Sequence, residues 1–407
     1  MNPSTDLEKV EKRKTGLGKR LSQVLFFMTL FAAVVMAGVA LSNGLKKVPK
    51  GSSTTEPTTA KVNPWELTAK KLKKETDFVA CQNALRILVE NLRNDDTAAK
   101  PASLGPEEER ALNALVPLGP GDKEEIHNWI YSAHDPIYLA DCFYLRDVAQ
   151  SLKLPHLTPE QLADIGFAWV CRSVALEPWL LPSSFRDRRG FMASALPPAY
   201  VLRRGCGSAL ERMYVFLALL QQMNLDGCLI GPPGAKKIEE WDAIGPDRAT
   251  PLPGGPARPF WAVGVRFGSD IKLYDPWRGE AFPTYLSSLK ANPEAHNNWF
   301  ENAANLALTK PDDVKKAMVY LAVPVNSLSP RMELLSQKLS KEGVGVRLAI
   351  NPAQLIAAFP EPKPTFWNPP DDRFAYGRVS RMFLPKDQGG ADDSPPQRIY
   401  DLFQQSQ

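Results

Sequence analysis

Apolar residues recur along this chain at two distinct spacings. FVACQNALRILVENLRN (78–94) brings Val79, Leu85, Ile87, Leu88 and Leu92 near one face, and helices are predicted over 64–96 and 107–153. TPEQLADIGFAWVCRSVALEP predicts a further helix with a defined start: Thr158 as cap, Pro159 in the first turn, Gln161 three residues after the cap. Ser208-x-x-Glu211 forms a capping box ahead of Met213, Phe216, Leu217, Leu220 and Met223. A helix should therefore begin just after Ser208 and end near Asn224. Shorter apolar runs predict strands: CLIG (228–231), then FWAVGVRF (260–267) and IKLYDPW (271–277), joined as a hairpin by Gly268-Ser269-Asp270. MVYLAVPV (318–325) predicts a strand, 330–341 a helix, VGVRLAI (344–350) a strand and PAQLIAAF (352–359) a short helix. No internal repeat is present.

One apolar run is of a different kind. Leu21 to Leu45 contains no charged residue, and roughly 20 residues suffice for a helix to cross a membrane. Lys9, Lys12, Arg13, Lys14, Lys19 and Arg20 precede it, and Lys46, Lys47 and Lys50 follow. The bias orients the N-terminus to the cytoplasm and exports the rest, periplasmic or extracellular. A signal peptide cut after Ala40 is the alternative. KKVPKGSSTTEPTTAKV (46–62) has too few apolar groups for a core and reads as part of a linker.

Composition removes several function classes. A formal charge of +4 over 407 residues, with no basic stripe interleaved with aromatics, argues against a nucleic-acid partner. Cys81, Cys142, Cys171, Cys206 and Cys228 lie far apart and form no CxxC, so neither a metal site nor a disulfide framework is expected. No cofactor is expected.

The order of the central elements carries the chemistry. RRGCGSALERMYVFLALLQQMNLDGCLIG (203–231) places a cysteine just before a buried helix, followed by a strand and then a hairpin. A helix N-terminus stabilises a thiolate, and a hairpin can supply an imidazole with a carboxylate to orient it. G-x-x-x-A-x-E-R with LALLQQMNLDGCLIG, and PFWAVGVRFGSDIKLYDPW with its Asp-Pro pair, resemble the nucleophile helix and the hairpin of the transglutaminase-like superfamily, whose logic papain-type hydrolases share. With SPRM after a "VP" strand (323–332), the chain is similar to exported transglutaminase-like proteins of planctomycete-type bacteria.

In the register of that resemblance the nucleophile position falls on Ala209 and the histidine position on Pro259, with Ser208 as the cap between them and Cys206. Only Asp275 matches. The resemblance therefore implies a degenerate site. Cys206 and Asp275 remain the candidate catalytic residues, and Arg203, Arg204, Glu211 and Trp261 the candidate pocket. His127, His134, His156 and His296 are not placed by the pattern. Without a base, a thiol with a pKa near 8.5 is only a few per cent ionised at neutral pH.

The expectation is an α+β protein with a transglutaminase-like (papain-like) core. Its parts are a cytoplasmic N-terminal segment (1–20), a transmembrane helix (21–45), a flexible linker (46–75) and a helical region (76–157). The core (158–290), a small α/β C-terminal unit (291–360) and a Pro-rich irregular tail (361–407) follow. Three functions stay open. The first is a membrane-anchored, catalytically inactive module binding a protein or cell-envelope polymer. The second is an active cysteine hydrolase or acyl transferase using Cys206, and the third an envelope scaffold.

Overall fold

Proline and glycine mark the helix starts in the first part of the protein. The structure, a computed structural model, describes residues 103–132, 134–176, 195–236, 260–296 and 311–369, with short pieces at 83–84, 87–90, 238, 299–300, 373–374 and 376. The expected membrane helix, linker and position 259 lie outside the described residues, as does the chain beyond 376. Among the described residues no helix is long and apolar enough to cross a membrane.

The helical stretch expected over 107–153 is three helices: α1 (Pro106–Ala114), α2 (Pro120–His127) and α3 (Asp135–Leu152). Pro117, Pro120 and Pro136 account for the breaks, since a proline inside a helix removes a donor and clashes with the preceding turn. Glu108 and Asp122 reach back to the Gly105 and Gly119 N–H groups at 2.7 and 3.0 Å. Residues 83–84 and 87–90, within the expected first helix, are helical.

Two helices follow the sequence pattern closely. In α4 (Pro159–Ser173) the Thr158 hydroxyl accepts from Gln161 N at 3.2 Å, and the Gln161 side chain accepts from Thr158 N at 2.9 Å. A two-residue strand β1 (Ala175–Leu176) follows. A short helix, α5 (Pro198–Arg204), comes next among the described residues, and β2 (Cys206–Gly207) then pairs in parallel with β1. Next comes α6 (Ala209–Met223), which stops where Asn224 turns left-handed at φ 62°. Asn is among the few non-glycine residues that tolerate this conformation.

The main sheet is built from β3 (Gly227–Gly231), β4 (Ala262–Phe267), β5 (Asp270–Asp275) and β6 (Glu280–Tyr285), then β7 (Met318–Leu321) and β8 (Thr365–Phe366). Its order is β6-β5-β4-β3-β7-β8, antiparallel except for the parallel β7–β8 pair. Between β6 and β7 run α7 (Leu286–Ala291) and α8 (Pro311–Lys315); after β7 come α9 (Pro330–Lys341) and α10 (Pro352–Ala357). The architecture is mixed α/β, consistent with the expected α+β class.

Strand alternation divides the sheet between two cores. Leu229, Val263, Val265, Tyr274 and Tyr320 pack with α4 and α6. Cys228, Ile230, Ala262, Ile271, Leu273, Val319 and Leu321 face the other way, toward α1, α7, α8 and α10. A third cluster joins α3 to α9 through Ile137, Tyr138, Leu139, Met332, Leu335 and Leu339. At its edge the Arg331 guanidinium is fully buried against Asp135 at 3.0 and 3.1 Å and also bonds Glu125. The segments expected as helical region, core and C-terminal unit thus pack directly on one another, and all described residues belong to one compact unit, 62–407.

Two expected elements differ. VGVRLAI (344–350) forms no strand. Val344, Val346 and Leu348 alternate inward as in a strand, but the backbone finds partners elsewhere. Val344 N donates to Leu339 O, Ile350 N to Ser327 O, Arg347 N to the Gln222 side chain and Tyr138 Oη to Leu348 O. Buried peptide groups need partners, not necessarily a ladder. Conversely, β8 and the buried Trp367 and Tyr376 come from the stretch expected to be an irregular tail. β6 was not anticipated either; it carries Pro283 and lies at the sheet edge, where a missing donor is tolerated.

Candidate functional site

The start of α6 is built by its own sequence. Gly205 is left-handed (φ 73°) and ends α5, and its carbonyl accepts from Ala175 N at 2.9 Å. Cys206 and Gly207 then lie beside Ala175 and Leu176 in the two-stranded pair. The Ser208 hydroxyl accepts from Glu211 N at 3.1 Å, and Glu211 Oε2 accepts from Ser208 N at 2.9 Å, so the capping box forms as the spacing predicts.

Glu211 does more than cap. Its Oε2 also accepts from Arg204 Nη2 at 2.8 Å, and its Oε1 accepts from Leu196 N at 3.0 Å. Arg204 Nε donates to the Cys206 carbonyl at 2.8 Å. Gly207 is required here: a Cβ would stand 2.8 Å from Glu211 Oε2 and 3.0 Å from Val201. Arg204, Cys206, Ser208 and Glu211 are therefore brought together, in a closed hydrogen-bonded corner. Arg203, on the same short helix, is exposed.

The first residue of α6 is Ala209, only 3% exposed, so a methyl group occupies the helix tip. The half-buried Cys206 thiol has the Arg204 carbonyl 3.7 Å away. The four histidines sit on other elements. His127 ends α2 and bonds Lys123 O and Glu109, and His134 caps α3. His156 lies in the turn between α3 and α4, and His296 ends a 3-10 helix.

Asp275, at the end of β5, is 4% exposed. Its Oδ1 accepts from Trp277 N at 2.8 Å and Arg278 N at 3.1 Å, and its carbonyl from Gly279 N at 2.9 Å. This is the side-chain turn that aspartate readily forms. Trp261 is core: 1% exposed, it lies against Gly231, where a Cβ would be 2.3 Å from the ring, and meets Trp367 edge-on at 5.2 Å.

The sequence offers Arg212 only as a residue that could line a pocket beside Glu211; the structure gives it a bridging role. It is 6% exposed and spans from α6 to both neighbours. Its Nε donates to Val174 O at 3.1 Å, Nη2 to the same carbonyl, and Nη1 to Pro276 O at 2.6 Å. Desolvation lowers its pKa, opposed by the nearby Cys171 and Asp275. The Cys171 thiol in turn is pushed up by burial, with Arg212 pulling the other way. The signal was available: an arginine heading the apolar run Met213–Leu220 must find acceptors when the helix is buried. Among the described residues no cluster of three or more His, Cys, Asp or Glu is arranged to hold a metal ion.

Comparison of the chain with protein-family models, with curated proteins and with solved structures gives no match.

Proposed function

We propose that the chain is a membrane-anchored, catalytically silent transglutaminase-like module, exported to the cell envelope, that binds a protein or an envelope polymer. The observation that supports this best is the use made of the α6 start. The helix tip carries the Ala209 methyl, Asp275 holds backbone N–H groups, and Arg212 ties the Val174 and Pro276 carbonyls together beside it. A buried guanidinium with carbonyl partners stabilises a corner; it does not abstract a proton from a thiol. The anchor and the export rest on the uncharged run from Leu21 to Leu45 and its flanking lysines and arginines.

In this reading the exposed Arg203 contacts an anionic or carboxylate-bearing partner, while Arg204 supports the fold through Glu211. The test is turnover. Full-length wild type and Cys206→Ala are given an activated acyl ester and a glutamine peptide with a primary amine. Equal rates at the buffer background are expected for both. Turnover by wild type that disappears in Cys206→Ala would show an active thiol enzyme and end the proposal.

A further inference from the structure

We infer, independently of the transglutaminase-like reading, that the C-terminal segment carrying Phe374 and Tyr376 is a proton-controlled strap. It closes over α3 and α6 while Asp141 holds a proton and lets go when that carboxyl ionises. After β8 the chain is fixed at its near end. Trp367 packs on Trp261 and Tyr320, and Asn368 Nδ2 donates to Asp122 at 2.5 Å and to Pro117 O at 3.4 Å. Arg373 adds an ion pair to Asp122 at 3.2 Å.

The far end is held differently. Phe374 stacks on Tyr214 of α6 with ring centroids 4.1 Å apart. Tyr376 stacks on Phe374 at 5.4 Å and meets Tyr138 of α3 edge-on at 6.1 Å. The Tyr376 hydroxyl donates to Asp141 Oδ2 at 2.9 Å, and Ala199 N, near the start of α5, donates to Oδ1 at 2.8 Å. Asp141 is only 2% exposed, and among the described residues no lysine, arginine or histidine of α3, α4, α5, α6, α9 or the strap pairs with it. The titratable groups beside it are Tyr138 and Cys142 of its own helix and Tyr376 of the strap. From α5 it receives the Ala199 backbone N–H.

A carboxylate without a cation is costly to bury, and the neutral acid much less so. Asp122 has Arg373 as its cation, whereas Asp141 has two uncharged donors. Burial outweighs those donors and pushes the Asp141 pKa up to about 7. Opening the strap returns one side of Asp141 to water, which lowers its pKa toward the ordinary carboxylate range. The closed state therefore binds the proton more tightly. Closure is strongest in acid and weakens by up to about tenfold per pH unit as pH rises to about 7. Above that pH the weakening is complete, and release bares the Tyr214 and Tyr138 rings on α6 and α3.

Chymotrypsin cleavage of the full-length protein after Phe374 and Tyr376 measures opening, when each rate is divided by that of an isolated 370–380 peptide at the same pH. Between about pH 5.5 and about pH 8 the ratio should rise about 10-fold or more for wild type. It should stay flat for Asp141→Asn, which keeps the shape of the side chain without its charge. Cleavage inside α4 should stay absent throughout. A wild-type ratio that does not change with pH overturns the inference, whether or not the variant folds. So does an equal rise in Asp141→Asn, or cleavage within α4 that rises in step, since the whole fold rather than the strap would then be loosening.

Discussion

Arg212 is the residue on which the α6 start turns. It enters an apolar helix face as a charge, and the fold answers with the Val174 and Pro276 carbonyls and the nearby Asp275. Arg212→Met would leave those carbonyls without their donor and Asp275 without its neighbouring cation. Removing one partner of a buried charged group costs about 3–5 kcal/mol, so urea unfolding should show a loss near about 3 kcal/mol; a loss below about 1 kcal/mol contradicts the role assigned here. Asp141 makes a second residue-scale case. Fully buried on α3, it accepts from Ala199 N at 2.8 Å and Tyr376 Oη at 2.9 Å, and burial pushes its pKa up to about 7. The folded state therefore keeps a proton that the unfolded chain loses near pH 4. Stability from this group is full below that pH and is lost as pH rises to about 7, by up to about 1.4 kcal/mol per pH unit. Asp141→Asn keeps an acceptor without the charge. Relative to wild type it should gain stability between pH 4.5 and pH 7.5, and an equal pH dependence of the two proteins would exclude the mechanism.

Elements with local signals were legible, and elements fixed by distant partners were not. The Thr158–Gln161 and Ser208–Glu211 boxes start α4 and α6 where the spacing puts them, because a cap needs only four consecutive residues. The β4–β5 hairpin follows from its tight turn and alternating residues. The stretch 344–350 carries a strand's alternation, yet whether it joins a sheet depends on Gln222, Tyr138 and Ser327, which are far away in the chain. β8 is the reverse: among prolines, Thr365 and Phe366 pair with β7 because that edge is open to them. The adjoining Trp367 packs on Trp261 and Tyr320, and Tyr376 against Tyr138. Deleting 361–407 therefore removes a strand and several core aromatics, each worth about 3–5 kcal/mol on truncation. The shortened protein should fail to accumulate or melt far lower; melting within about 2 °C of the full chain would mean the segment is dispensable.

At the scale of the molecule, the sheet faces two cores while a third binds α3 to α9, so α3 and α9, far apart in sequence, stabilise each other. The buried Asp135–Arg331 pair at that junction fixes their mutual placement, since either charge alone would be costly to bury. Of the candidate site, Cys206, Ser208, Ala209 and Glu211 were legible as one corner because they are contiguous. The corner's closure by Arg204 and the link made by Arg212 were not, as both depend on carbonyls presented by other segments. The account's central claim is that this corner supports structure and leaves its thiol unactivated. The rate of iodoacetamide labelling at Cys206 in the native full-length protein, followed by peptide mass spectrometry from pH 5 to pH 10, measures this directly. The account predicts labelling no faster than that of a free thiol, rising with a midpoint at or above about 8.5. Labelling that is faster than a free thiol at neutral pH, with a midpoint displaced well below that value, would contradict it.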